Sequence, residues 1–133
     1  MLNCLILNSQ FLIELWRCSF VKIAFSTLGC PDWCWNDTIA AAKDLGYDGV
    51  EIRGIEHQIY LPKAPQLMGK YLQKTEDHLK QIKLEFSCLT SACYLHEDNF
   101  EARLEQGEAY IEMAHKVGVP FIRVLGDTIL LKG

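Results

Sequence analysis

Charged side chains alternate with apolar ones in three short segments, and these residues are the best suited to chemistry. The segments are Val50-Glu51-Ile52-Arg53, Leu84–Leu89 with Glu85 and Ser87, and Phe121–Leu125 with Arg123. Successive side chains of a β-strand point to opposite faces, so the polar members of each segment share one face. Charged groups do not face an apolar helix layer without a partner. We therefore expect one polar surface on which a carboxylate meets two guanidinium groups.

This polar surface has two interpretations, and the sequence leaves both open. Buried charges are expected to be paired, so Glu51 and an arginine can form a purely structural ion pair. The same groups, Glu51, Arg53 and Arg123, can instead contact a polar substrate. Lys22 and Glu85 occur at strand starts, where we expect a structural ion pair at the opposite end of the sheet.

The same alternation assigns the remaining strand residues. Val50, Ile52, Phe86 and Cys88 are predicted to face the helices, together with Ile122 and Val124. Lys22, Ala24 and Ser26 of the first strand are predicted to face the interior, on the same side as Glu51.

Aromatic residues and histidines follow the predicted strands, in the loops that would surround a pocket. They are Trp33, Trp35, His57, Tyr60, Tyr94 and His96. Rings around a polar pocket suit a small polyol, because its C–H faces stack while its hydroxyls form hydrogen bonds. Trp33 and Trp35 are equally well explained as loop anchors. The candidate substrate-binding residues are therefore Glu51, Arg53, Trp33, His96 and Arg123.

The elements that would position these residues alternate along the chain. Strands are predicted over Val21–Ser26, Gly49–Arg53, Leu84–Leu89 and Phe121–Leu125, and helices over Asn36–Gly46, Leu72–Ile82 and Phe100–Val117. Asn36 or Asp37 is predicted to cap the first helix, and Gly46 to end it in the left-handed conformation. In the last helix, Leu104, Ile111 and Ala114 are predicted to point to the core.

The spacing of these elements predicts an α/β fold. Strands start at intervals of roughly 30–35 residues, which suits a repeated βα unit. The turns before strands are short and the loops after strands are long, as in a (β/α) barrel whose active face lies at the strand C-termini. We predict an incomplete TIM barrel of about four parallel strands with alternating helices. A doubly wound open sheet is the alternative, but no G-x-G-x-x-G follows any predicted strand.

Composition narrows the class of protein. The chain has 133 residues and a net charge of −4, without a basic cluster, which argues against nucleic acid as a partner. The six cysteines are Cys4, Cys18, Cys30, Cys34, Cys88 and Cys93. We expect them to be reduced thiols in a cytoplasmic protein, with Cys30 and Cys34 packing a loop rather than holding a metal.

The domain boundaries follow from the same patterns. Polar residues interrupt the apolar run in residues 1–20, so that segment is not a membrane span. It is an N-terminal extension that need not be native, because a GTG valine codon at Val21 can initiate translation. Residues 21–127 form the barrel portion, and residues 128–133 form a tail.

Four ordered segments carry a resemblance to a known family. They are VKIAFSTLGCPDW, GYDGVEIRG, LEFSCL and GVPFIRVLGD, which together extend from Val21 to Asp127. Their order and spacing resemble the xylose isomerase-like TIM barrel superfamily, and most closely its sugar phosphate isomerase/epimerase branch. That branch includes inosose dehydratases, and the superfamily resembles endonuclease IV in fold.

The resemblance implies only part of a whole enzyme. Full barrels have about 250 residues, so the chain corresponds to the N-terminal half. In the family a divalent metal (Mn, Mg, Co or Zn) is held by Glu, Asp, His and Glu near the ends of the later strands. Two of those glutamates transfer the proton next to a carbonyl, while the metal stabilises the enediolate. No metal is expected to be bound by this chain alone. The resemblance places Glu51 and the loop Cys30–Trp35 on the substrate side of the pocket.

The implied function is a fragment of a metal-dependent sugar (phosphate) isomerase or epimerase, inactive alone. A different function is that of a non-catalytic half-barrel that pairs with itself or with a complementary half, because its open strand edges and apolar surface need a cover. An inosose dehydratase-like lyase and an endonuclease IV-like hydrolase are two further candidates that the resemblance allows. The acidic net charge counts against the nuclease.

Overall fold

Four parallel strands alternate with helices in the computed structural model, which describes residues 21–95 and 99–126. The elements are β1 Ala24–Ser26, α1 Trp35–Asp44, β2 Gly49–Ile52, α2 Gly69–Ile82, β3 Glu85–Tyr94, α3 Phe100–Val117 and β4 Ile122–Leu125. The strands lie side by side in chain order, all parallel. This confirms the predicted partial barrel, because a doubly wound sheet reverses its strand order.

The main core lies between the sheet and the helices. Val50 and Ile52 of β2 are completely buried in it, and Phe86 and Ile122 pack against it. These four residues face the helices, as the alternation of side chains predicts. At the opposite end of the sheet, Lys22 Nζ lies 2.7 Å from a carboxylate oxygen of Glu85.

A β-bulge in β3 reverses the predicted orientation of Cys88. Val50 aligns with Phe86, but the next residue, Glu51, aligns with Cys88, so Ser87 is the extra residue. An extra residue shifts every later side chain to the other face. Cys88 therefore lies beside Glu51 rather than facing the helices, and Leu89 is the buried core residue instead. The prediction for Cys88 was wrong.

β3 is also longer than predicted, since it continues to Tyr94. Thr90 and Ser91 are polar, which favours a loop, yet both are buried. Their hydroxyls have partners: Ser91 Oγ donates to the Arg123 carbonyl at 2.8 Å, and Thr90 Oγ1 donates to Glu51. Buried hydroxyls are tolerated when they are hydrogen-bonded, so tertiary partners keep these residues in the strand.

α1 begins earlier than predicted, at Trp35, and its N-cap is Cys34 rather than Asn36 or Asp37. The Cys34 sulfur accepts a hydrogen bond from the Asp37 amide at 3.5 Å. The Trp35 amide donates to Glu56 Oε1 at 3.0 Å, so a carboxylate from a distant loop provides the hydrogen-bond acceptor for an amide of the first helical turn. Gly46 follows the helix with φ 77°, which confirms its predicted left-handed conformation.

α3 buries a different face from the predicted one. Its buried residues are Tyr110, Met113, Ala114 and Val117. Leu104 is 51% exposed and Ile111 58% exposed, so only Ala114 of the three predicted core residues is buried. The helix carries two apolar stripes, and helical spacing alone does not say which stripe contacts the sheet.

The ends of α2 and α3 offer a matched test of backbone strain. Both helices end in a left-handed residue, Lys83 with φ 58° and Gly118 with φ 71°. Glycine adopts this conformation without a side-chain clash, so Lys83→Gly is expected to stabilise the protein by about 0.5–1 kcal/mol. Gly118→Ala is expected to destabilise it by about 1 kcal/mol. Urea unfolding measures both, and a Lys83→Gly variant less stable than wild type would contradict the strain argument.

Candidate functional site

Glu51, Thr90 and Arg123 meet on the interior side of the sheet, each from a different strand. The Thr90 hydroxyl donates a hydrogen bond to Glu51 Oε1. The same oxygen lies 3.8 Å from Arg123 Nη1. The Glu51 side chain is 25% exposed and that of Arg123 is 54% exposed. The predicted meeting of Glu51 with an arginine is therefore present, and the arginine is Arg123.

The register of the strands brings these side chains together. Thr90 aligns with Arg123 across β3 and β4, and Glu51 aligns with Cys88 across β2 and β3. Cys88 and Thr90 are two residues apart and therefore share a face. Without the bulge at Ser87, Thr90 would face the helices and Glu51 would lose its hydroxyl donor.

The Cys88 thiol completes this polar cluster of Glu51, Cys88, Thr90 and Arg123. Burial raises the pKa of Cys88 above its ordinary value, and the Glu51 carboxylate acts in the same direction. A hydrogen bond with Thr90 and the Arg123 charge oppose this increase in pKa only in part. A thiolate is the nucleophilic form of cysteine, so a raised pKa favours an unreactive, protonated Cys88 at neutral pH.

Arg53 lies at the end of β2, beside the loop that follows β1. The Thr27 hydroxyl accepts hydrogen bonds from the Arg53 amide at 2.8 Å and the Gly54 amide at 3.2 Å. These bonds join the carboxyl ends of β1 and β2. The Nη1 atom of Arg53 is buried and has no hydrogen-bond partner among the described residues. Arg53 is therefore positioned at the top of the sheet with this donor unsatisfied.

The remaining predicted site residues lie elsewhere. Trp33 is 47% exposed, and its ring stacks on Phe25 with centroids 6.4 Å apart. Phe25 aligns with Val50, which faces the helices, so this contact lies outside the polar cluster. His96 lies outside the described residues. Substrate binding by Trp33, His96 and the other candidates stays a prediction.

The described residues do not fit the metal that the family resemblance implies. No group of three or more His, Cys, Asp or Glu side chains converges within residues 21–95 and 99–126. The cluster offers one carboxylate and one thiol, and its guanidinium repels a cation. No metal-dependent step is therefore assigned to these residues.

Two further observations concern the cysteines and the apolar character of the helices. Cys30, Cys34, Cys88 and Cys93 are free thiols. Within the part of the chain that the structure describes, no helix has both the length and the apolar character that crossing a membrane requires.

Sequence patterns do not identify Thr90 and Cys88 as members of the cluster. The polar residues after Leu89 favour a loop at Thr90, and strict alternation puts Cys88 on the helix side. The signal that bears on Thr90 is the run Leu89-Thr90-Ser91-Ala92-Cys93, whose small and β-branched residues are compatible with a continued strand. The bulge has no comparable signal in the sequence, because it depends on the pairing of β2 with β3.

The chain is similar to known proteins in structure rather than in sequence. No protein-family model matches the chain, and no curated protein matches it. Among solved structures it is similar to "Crystal structure of the probable 3-DHS dehydratase AsbF involved in the petrobactin synthesis from Bacillus anthracis". The TM-score is 0.58 and the sequence identity 22%, over 78% of this chain and 38% of that chain.

At this identity the similarity establishes the fold alone. The chain spans well under half the length of that protein. The chain has the fold of consecutive βα units of a TIM barrel.

Proposed function

We propose that the chain supplies the substrate-side wall of a divalent-metal-dependent sugar or sugar phosphate isomerase or epimerase. The observation that carries the proposal is the cluster of Glu51, Thr90 and Arg123, which joins three neighbouring strands on the interior side of a partial barrel. Active sites of TIM barrels are built at the carboxyl ends of their strands from residues of several strands. A cluster with both an anionic acceptor and cationic donors suits a ligand rich in hydroxyl and carbonyl groups.

Each member of the cluster has a distinct role in this proposal. Thr90 and Arg123 hold the Glu51 carboxylate in one orientation, so that it accepts a hydrogen bond from a substrate hydroxyl. Arg123 is half exposed and retains N–H donors for a carbonyl or hydroxyl oxygen. The groups that remove the proton next to the carbonyl, and those that bind the metal, belong to βα units beyond these four. A divalent metal held by residues of those units would supply Lewis-acid chemistry to the substrate.

A dehydratase is the related alternative reaction. It begins with the same proton abstraction and continues with loss of a β-hydroxyl. The similarity to a probable 3-DHS dehydratase supports this alternative. The net charge of −4 gives no support to a nuclease. The free thiols support a cytoplasmic location.

The second candidate function is that of a half-barrel that pairs with another half. A specific observation favours it: α3 exposes the apolar side chains of Phe100 (58%), Leu104 (51%) and Ile111 (58%). At the edge strand β4, Val124 is 38% exposed, and Phe121, directly before the strand, is 68% exposed. A helix with one buried and one exposed apolar face is expected to pack against a further element. A complementary half-barrel or a second copy of the chain would provide that cover.

The exposed apolar stripe of α3 consists of Phe100, Leu104 and Ile111. Measuring the mass of the protein in solution tests whether this stripe pairs with another molecule. We expect the wild-type chain to self-associate when no complementary half is present, because the stripe is apolar. The double variant Leu104→Glu/Ile111→Glu should shift the population towards monomer. Leu45→Glu is the matched control, since Leu45 is 71% exposed at the end of α1 and lies outside the stripe. A monodisperse wild-type monomer in sedimentation experiments would contradict the pairing proposal.

NMR titration tests the proposal that the chain forms the substrate-side wall of the pocket. The ¹⁵N-labelled chain is titrated with a ketose, a ketose phosphate and 3-DHS. We expect weak binding, with shift changes centred on Glu51, Thr90 and Arg123, and no turnover with added Mn²⁺. Turnover by the 133-residue chain would refute the assignment of the reacting groups to other βα units. Absence of shifts at the cluster with all of these ligands would refute the wall itself.

A further inference from the structure

A cavity at the carboxyl ends of β1 and β2 contains Arg53 and is separate from the contacts of the polar cluster. Its volume is about 340 Å³, and its lining includes Thr27, Leu28, Pro31, Gly54 and Ile59 together with Arg53. This volume lies at the lower end of the range for small-molecule sites, which is roughly 300–1,000 Å³. Its lining is mostly apolar, so Arg53 is the cationic group that would fix the orientation of a polar ligand there.

The Arg53 guanidinium has an unsatisfied donor in the described part of the chain. Its Nη1 atom is buried without a hydrogen bond. A guanidinium has five N–H donors, and leaving a buried donor unpaired is unfavourable. Arg123, the other interior arginine, has Glu51 as its counter-charge at 3.8 Å. Of these two arginines, Arg53 is therefore the one that lacks an anion among the described residues.

Carboxylates near Arg53 in sequence or space are turned towards other partners. Glu51 accepts from Thr90 and lies beside Arg123. Glu56 accepts from the Trp35 amide at 3.0 Å and from Gln66 Nε2 at 2.9 Å. Asp32 lies 3.7 Å from the Nδ1 atom of His57.

The turn next to the cavity is also held in an unfavourable backbone conformation. Glu56 and His57 have φ values of 48° and 70°, in the left-handed region that disfavours residues other than glycine. His57 lines the cavity, while the hydrogen bonds of Glu56 anchor the turn to α1. Strained residues persist where the surrounding structure holds them, often at ligand sites.

We propose that Arg53 binds an oxyanion, the phosphate or carboxylate of a substrate whose reacting carbons lie over the Glu51 cluster. The second part of this assignment, that the reacting carbons lie over the Glu51 cluster, rests on the proposed function. The assignment narrows the substrate class to anionic sugars and sugar acids. The planar fork of arginine matches both oxyanions through paired N–H···O bonds. The His57 ring, which also lines the cavity, offers a further N–H donor.

The test uses the full chain at low ionic strength, because chloride and other salts screen the interaction. Inorganic phosphate and acetate are titrated separately at constant ionic strength, and the Arg53 Nε–H signal is followed by NMR. We expect one of the two anions to shift this signal, which identifies the kind of oxyanion. Arg53→Met should weaken that binding by about tenfold or more, the loss expected for one charge-assisted hydrogen bond. Arg53→Lys should retain part of the binding, because it keeps the charge but loses the fork.

Lys63→Met is the matched control, because it also removes one positive charge, from a residue of the neighbouring loop. The Lys63 ammonium group lies over the Tyr60 ring. It should leave the anion affinity unchanged. Arg53→Met should also unfold at a urea concentration no lower than wild type, because no described group loses a partner. Unchanged anion binding by Arg53→Met, or a marked loss of its stability, would overturn the assignment.

These experiments distinguish a failure of the oxyanion site at Arg53 from a failure of the proposed substrate-side wall. Anion binding at Arg53 without ligand shifts at Glu51 would support the oxyanion site and refute the wall of the sugar pocket. Ligand shifts at Glu51 without anion binding at Arg53 would support the wall and refute the oxyanion site.

Discussion

Tyr110→Phe is expected to lower the free energy of unfolding by about 1–3 kcal/mol, because it removes a hydroxyl that has two backbone partners. Tyr110 is completely buried in α3. Its hydroxyl accepts a hydrogen bond from the Leu61 amide at 3.2 Å and donates one to the Ile59 carbonyl at 3.0 Å. Phenylalanine fills the same space but leaves the Leu61 amide without an acceptor. The Tyr110 hydroxyl thus attaches the long loop after β2 to the helix layer.

Tyr71→Phe is the matched control for this prediction. The Tyr71 ring is 52% exposed, and it lies under the ammonium groups of Lys70 and Lys74 at 5.3 and 6.0 Å. Loss of its hydroxyl should change the free energy of unfolding by less than about 0.5 kcal/mol. Urea unfolding of both variants measures the difference, and equal effects would contradict a special role for Tyr110.

Tyr110 also makes the free energy of unfolding depend on pH, and the direction of its pKa shift fixes the sign of that dependence. Burial raises the pKa of Tyr110 above its ordinary value of 10.0. The folded state therefore holds the phenolic proton more tightly than the unfolded state. This contribution to stability is complete below the unfolded pKa and is lost as the pH rises through the folded pKa. Tyr110→Phe should lose this alkaline decline in stability, while Tyr71→Phe should retain it.

Glu51→Gln is expected to have the largest effect on the proposed site, with ligand binding weakened by about tenfold. The amide still accepts a hydrogen bond from Thr90, but it carries no charge for Arg123 or for a substrate hydroxyl. Hydrogen bonds to a carboxylate are stronger than those to a neutral oxygen. NMR titration with the tightest-binding ligand of the wild-type panel measures the loss.

Glu85→Gln is the matched control, because it makes the same chemical change at the other end of the sheet. Glu85 pairs with Lys22 at 2.7 Å, and both side chains are about 70% exposed. Exposed ion pairs contribute little to stability, so this variant should fold and bind as wild type. Equal loss of binding in both variants would point to a general charge effect, and an unaffected Glu51→Gln variant would remove Glu51 from the site.

Local patterns in the sequence predicted much of the sheet. Alternation within β2 placed Val50 and Ile52 towards the helices and Glu51 towards the polar side, because side-chain direction in a strand is a property of the local backbone. The end of α1 at Gly46 was predictable for a similar reason, since glycine tolerates the left-handed conformation. Alternation also placed Glu51, Arg53 and Arg123 on one polar surface, but the structure selected Arg123 as the partner of Glu51.

Contacts between distant segments decided the rest of the site. The bulge at Ser87 depends on how β3 pairs with β2, and it alone brings Cys88 and Thr90 to Glu51. Similarly, Glu56 reaches across to the Trp35 amide and changes where α1 begins, and the nearby carboxylates of the described chain have partners other than Arg53. Helical spacing predicted a core face with Leu104 and Ile111, but packing on the sheet selected the stripe that contains Tyr110.

The sequence by itself determined the order of strands and helices, the polar face of the sheet and Glu51 as a carboxylate that meets an arginine. The tertiary structure decided the composition of the polar cluster and the cavity of Arg53. The physical reason is that alternation and helix termination are encoded within a few consecutive residues. Register, bulges and the pairing of buried charges depend on which segments meet in space.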